Sequence, residues 1–163
     1  MNKTLLTIIL IFQIGILVAQ KTQSELIIGT WRFEKECDLR TEKEKSEFAK
    51  MSWCPPVTDN GTGYADRTFS ADGEFVFYYN SNHTDFGIYQ IKDNQLIIQR
   101  RLLKEQAESK KEAIKWHLKR KLIEKKDDGF YYLPPLKLDL KSVTENQIEF
   151  GTDKHYTIWK RIQ

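Results

Sequence analysis

The sequence predicts an all-β protein: an up-and-down antiparallel β-barrel of about eight strands, preceded by an N-terminal signal peptide. Three observations lead there. Short runs of alternating apolar and polar residues recur along the chain, separated by tight-turn residues. Phe and Tyr fall mostly on alternating positions, which suits a pleated surface better than a helical bundle. The strands follow one another without crossover helices, and such a sheet removes its two exposed edges by closing on itself.

The first element is not part of that sheet. Met1 to Gln20 reads MNKTLLTIILIFQIGILVAQ, one early cation, a long apolar run and then a small residue. That is the layout of a secretory signal peptide cleaved after Ala19, and the run is too short to make a convincing membrane span. An uncleaved anchor is the competing reading. No cysteine follows the run to serve as a lipoprotein attachment point. Residues 20–163 then form a single domain, without repeats or low-complexity tracts, and long enough for a real core.

Within that domain Ile27, Trp31 and Phe33 alternate with Ile28, Thr30, Arg32 and Glu34, and Gly29 interrupts the row. This is the first strand. Residues 38–63 form a charged insertion. DLRTEKEKSEFAK should contain a helical turn, and the Pro-Pro and Asn-Gly steps of WCPPVTDNGTG make a loop. Cys37 and Cys54 bracket most of it. In an exported chain two cysteines are expected to pair, which the chain-entropy model makes worth about 3 kcal/mol.

The clearest part is the meander that follows. Arg67–Ser70 and Glu74–Tyr79 flank the turn Ala71-Asp72-Gly73, Asn80-Ser81-Asn82 leads into the next strand, and Lys92-Asp93-Asn94 precedes Gln95–Leu102. In the basic segment beyond, Ile114, Trp116, Leu118 and Leu122 share one parity, so a strand paired with Gln95–Leu102 is expected, after a polar connection. A continuous helix from Lys104 to Lys125 is the alternative. After Pro134-Pro135, Leu136, Leu138 and Leu140 alternate. Thr144-Glu145-Asn146 then turns into Gln147–Phe150, and the chain ends on HYTIWKRI.

Composition narrows the functions. With 26 basic residues against 23 acidic ones, well mixed, nucleic acid is not expected as a partner. His83, His117 and His155 are isolated in sequence, and there is no GxSxG, Walker-type glycine loop or HExxH. No metal, no cofactor and no enzymatic activity are expected. Asp59-Asn60-Gly61 lacks the carboxylate spacing of a calcium loop and reads as a turn.

Gly29-Thr30-Trp31 near the start of the domain resembles the Gly-x-Trp element of the lipocalin and lipocalin-like families. FSADGEFVF and GIYQIKDNQLII are similar to phrases of secreted lipocalin-like domains common in Bacteroidetes. The resemblance runs from about Leu26 to Ile162. It implies that Gly29 and Trp31 open the first strand, that Trp31 closes one barrel end, and that Lys160 or Arg161 packs over the indole. It also implies an interior able to hold a small apolar ligand. On one parity Phe75, Phe77, Tyr79, Ile88 and Ile98 line it. On the other Val76, Tyr78, Tyr89 and Ile97 do, and the sequence leaves the choice open. The expected function is an exported, periplasmic or extracellular protein that binds such a ligand. The alternative is an envelope protein-interaction module, an inhibitor or accessory factor, whose barrel is filled by its own side chains.

Overall fold

The computed structural model describes residues 21–48 and 55–163. The segment expected to be a signal peptide and Cys54 fall outside the described residues. A one-turn helix α1 (Gln23–Leu26) starts the described chain, with Thr22 and Glu25 forming a reciprocal capping box. Strand β1 (Gly29–Asp38) follows, then helix α2 (Glu42–Phe48) in the charged insertion. The meander is β2 (Asp66–Phe69), β3 (Glu74–Asn80), β4 (His83–Lys92) and β5 (Gln95–Arg100). The chain then forms helices α3 (Lys104–Ser109) and α4 (Lys111–Lys119) and a small hairpin, β6 (Glu124–Lys125) with β7 (Tyr131–Tyr132). Strands β8 (Leu136–Val143), β9 (Gln147–Gly151) and β10 (His155–Arg161) complete it.

Eight of these strands close into an antiparallel barrel in the order β1-β10-β9-β8-β5-β4-β3-β2. Every neighbour is also the next barrel strand in sequence, apart from the closing pair β1 and β10, which pair from Trp31 opposite Arg161 to Asp38 opposite His155 with a register shift between Phe33 and Lys35. Closure gives every strand two partners, which is how an all-antiparallel sheet of this size disposes of its edges.

The basic segment corrects the sequence reading. It is helical, and β5 pairs with β8, Leu96 opposite Leu138 and Ile98 opposite Leu136. Ile114 and Leu118 stand four apart, one turn of a helix, and pack on Ala107, Ile123, Leu102, Tyr131 and Leu133 as a second small core. Trp116, whose parity suggested a strand, lies on another face and is exposed, with Arg120 3.9 Å over its ring. Nor is the helix continuous: Lys110 leaves helical geometry between α3 and α4, and Lys121, with φ of 56°, ends α4. Residues 101–135 are therefore an insertion outside the barrel ladder.

The main core is the barrel interior. Ile27, Trp31, Phe69, Phe75, Leu96, Ile148 and Trp159 are essentially without solvent contact. Phe77, Ile98, Leu140 and Phe150 continue it. The strand alternation that places them inward puts Asp66, Thr68, Glu74 and Val76 on the outer face. No helix among the described residues is long and apolar enough to cross a membrane.

Candidate functional site

Strand direction sorts the connections into two ends. The turns 70–73, 93–94 and 144–146 lie at one end, together with α1. The described segments 39–48 and 55–65 and the loops 101–135 and 152–154 lie at the other. The first end is closed. Trp31 is completely buried, and its Nε1 donates to the Ile27 carbonyl at 2.7 Å. The Arg161 guanidinium lies 4.2 Å over the indole. From there it donates to three main-chain carbonyls: Leu26 at 2.7 Å, Ile28 and Glu145. Of the two cations the sequence offered, Arg161 is the one over Trp31. Lys160 points away and pairs with Glu34. Gly29 has φ of 138°, and a Cβ there would overlap Arg161 Nη1 and come within 2.8 Å of the Gln163 carbonyl. The glycine leaves room for the arginine.

Among the described residues the second end is open. A cavity of about 270 Å³ sits in the barrel mouth, walled by Phe77, Ile98, Leu136 and Leu138 and ringed by Pro56, Tyr64, Tyr79, Asp85 and Arg100. Beneath it the barrel is solid. Phe33 and Tyr64 stack at 4.1 Å, Trp159 meets both edge-on, and Phe69, Phe75 and Phe77 crowd together at ring separations of 4.6–6.0 Å. The cavity therefore stops at the mouth and does not continue into the barrel's centre.

Arg67 forms part of the cavity floor. Its guanidinium rests on the Trp159 ring at 3.9 Å, with Phe77 and Phe150 each at 5.1 Å. Nε and Nη1 are sealed from solvent without a hydrogen-bond partner among the described residues. Burial pulls its pKa down to about 10, which still leaves it charged at neutral pH. Asp85, the acid at the rim, is engaged elsewhere, by Arg100 at 3.2 Å and His83 at 3.7 Å. Burial also raises the Tyr64 and Tyr79 phenols, keeping them neutral hydrogen-bonding groups.

The expected lining residues divide. Phe75, Phe77 and Ile98 are buried inside, and Tyr79 stands at the mouth, stacked 4.3 Å from His83. Ile88 lies opposite Glu74 and Gln99 on the outer face, while its neighbour Tyr89 packs inward. The inward set therefore crosses the two parities the sequence offered: the register shift between Tyr78 and Asn80 keeps odd positions inward from β3 into β4, and the Asp93-Asn94 turn hands the inward side to even positions in β5. Val76 and Tyr78 are exposed, and Ile97 shares their outer side, opposite Gln90 and Lys137. Cys37 forms no disulfide among the described residues, and its expected partner Cys54 lies outside them. No cluster of three or more His, Cys, Asp or Glu side chains able to hold a metal occurs among the described residues.

Sequence reasoning missed Arg67. The signal was present: in Asp-Arg-Thr-Phe the inward parity set by Phe69 includes Arg67, a cation on the apolar face.

No protein-family model matches the sequence, and neither does any curated protein. Two solved structures are similar. One is a lipocalin-like protein from Bacteroides uniformis ATCC 8492, with TM-score 0.43 and 12% identity, covering 84% of this chain and 99% of that one. The other is an uncharacterized protein from Bacteroides eggerthii DSM 20697, with TM-score 0.44 and 11% identity, covering 83% and 98%. On its own strand order and its Trp31–Arg161 closure, the chain is an eight-stranded up-and-down antiparallel barrel.

Proposed function

We propose that the protein is an exported binding protein that takes one small ligand, apolar for most of its surface, in the mouth of the barrel, and acts by binding rather than by catalysis. The observation that carries this reading is the cavity itself: a concave site with walls of Phe77, Ile98, Leu136 and Leu138 and a few polar groups at floor and rim. Apolar walls supply affinity and sparse polar groups supply orientation. At about 270 Å³ it sits just below the usual range for small-molecule sites, so the cargo is a short or single-ring compound. The aromatic filling beneath the cavity supports a second reading, the envelope interaction module without cargo.

Native mass spectrometry, with extraction of bound compounds, on protein purified from its own host separates the two. The binding reading expects a mass increment of one small organic molecule, which organic extraction releases. Its persistent absence, even at gentle ionisation, leaves the interaction module.

A further inference from the structure

Arg67 has aromatic neighbours on all sides and no counterion. The chain's 23 acidic residues all lie among the described residues, and none of them pairs with it. The nearest charged or titratable groups from the surrounding strands are Tyr64 and Tyr79, both neutral at ordinary pH, with Asp85 already shared between Arg100 and His83. A cation withdrawn from water in this way is costly unless something compensates it. The rings of Trp159, Phe77 and Phe150 return part of that cost through the guanidinium's flat face. A stacked guanidinium, however, keeps its in-plane N–H groups able to donate, and a carboxylate oxygen is a strong acceptor for one of them. Nε and Nη1 are the sealed nitrogens, so the group meets the cavity through Nη2.

We propose that the barrel mouth selects a small organic carboxylate, with its anionic head toward Arg67 and its apolar body against Ile98, Leu136 and Leu138. This rests on the binding reading above and adds the charge of the ligand to it. A monoanion fits better than a phosphate dianion. Among the described residues the cavity presents one uncommitted cation, since Arg100 already serves Asp85, and four apolar walls that would gain nothing from a compact, strongly hydrated ion.

Isothermal titration calorimetry with matched probes tests the proposal on the protein lacking its signal segment. Octanoate and phenylacetate are compared with octanamide and phenylacetamide, which keep the shape and remove the charge. The acids are expected to bind at least about tenfold more tightly than the amides, the scale of one charge-assisted hydrogen bond. Arg67→Met should abolish that preference while still binding the amides, Arg67→Lys should retain it in part, and Leu138→Trp should fill the cavity and weaken all four. Equal affinity of acid and amide for the wild type overturns the proposal and leaves the binding reading standing, as does a preference that survives Arg67→Met. Failure of all four probes to bind removes both readings. Should Arg67→Met not fold by circular dichroism, the wild-type comparison together with Arg67→Lys still decides.

Discussion

Lys160 and Arg161 are adjacent cations at the end of one strand, and alternation sends them to opposite sides of the barrel wall. Lys160 reaches an exposed carboxylate, an arrangement worth at most about 1 kcal/mol. Arg161 satisfies three main-chain carbonyls and covers an indole. Truncating it strands two part-buried acceptors, the Leu26 and Ile28 carbonyls, each costing about 1–3 kcal/mol. Arg161→Ala should therefore lower the urea unfolding free energy by at least about 2 kcal/mol, and Lys160→Ala by less than about 1 kcal/mol. Equal effects of the two substitutions would contradict the closure described at Trp31. At this scale the sequence was informative about Trp31 and Gly29, because the Gly-x-Trp spacing stands near the start of the domain and a meander of strands follows it. Arg67 was legible only as a cation sharing the parity of Phe69. A cation on an inward parity looks like any surface residue until the partner strands show which way it faces.

At the scale of the element, α2 is a helix of seven residues held at both ends of its first turn. The Glu44 carboxylate accepts from the Thr41 main-chain N–H at 2.8 Å and hydroxyl at 2.9 Å, and from Lys154 at 2.8 Å across the barrel rim. The Lys154 ammonium, followed by the two Thr41 donors, holds its pKa at about 2, well under its ordinary value of 4.5. A depressed carboxyl pKa stabilises the folded state fully above the unfolded value, and that contribution disappears as pH falls toward the folded value. Glu44→Gln should accordingly shift the urea midpoint downward at neutral pH, with the gap to wild type narrowing from about pH 4.5 and closing near pH 2. A gap that stays constant with pH would mean that the ion pair contributes nothing.

Elements also show why the reading of the sequence failed where it did. The strands 67–100 were legible because Gly73 and the Asp93-Asn94 pair, all with positive φ, mark their turns. In residues 111–122 apolar positions 114 and 118 satisfy both a two-residue and a helical repeat. What decided for the helix was a tertiary fact, the apolar patch of Leu102, Ile123 and Leu133 that receives one face of α4.

For the molecule as a whole, the ladder between β5 and β8 means that the insertion 101–135 is not needed to complete the barrel. Its own core of Ala107, Ile114 and Ile123 is separate from the one inside. Replacing residues 102–134 by a short glycine-containing turn should leave the β-sheet circular dichroism and a cooperative thermal transition in place. Loss of both would show that the insertion supports the barrel after all. Hydrogen exchange on the intact chain should find α3 and α4 opening well before β1 and β10, since small peripheral cores make the least stable units.

The pairing of Trp31 with Arg161 joins residues from nearly opposite ends of the described chain, and this matters for how the protein is made. Synthesis proceeds from the N-terminus, so β1 is among the first strands produced and its outer partner the last. Until residues 155–161 have emerged, β1 exposes one edge and β9 another, and α1 has no arginine to hold its carbonyls. Long-range closure of this kind is the slow part of folding, and the waiting edges are open to pairing with other chains. A nascent chain of this design gains from being kept unfolded until it is complete, as translocation in an extended state would keep it.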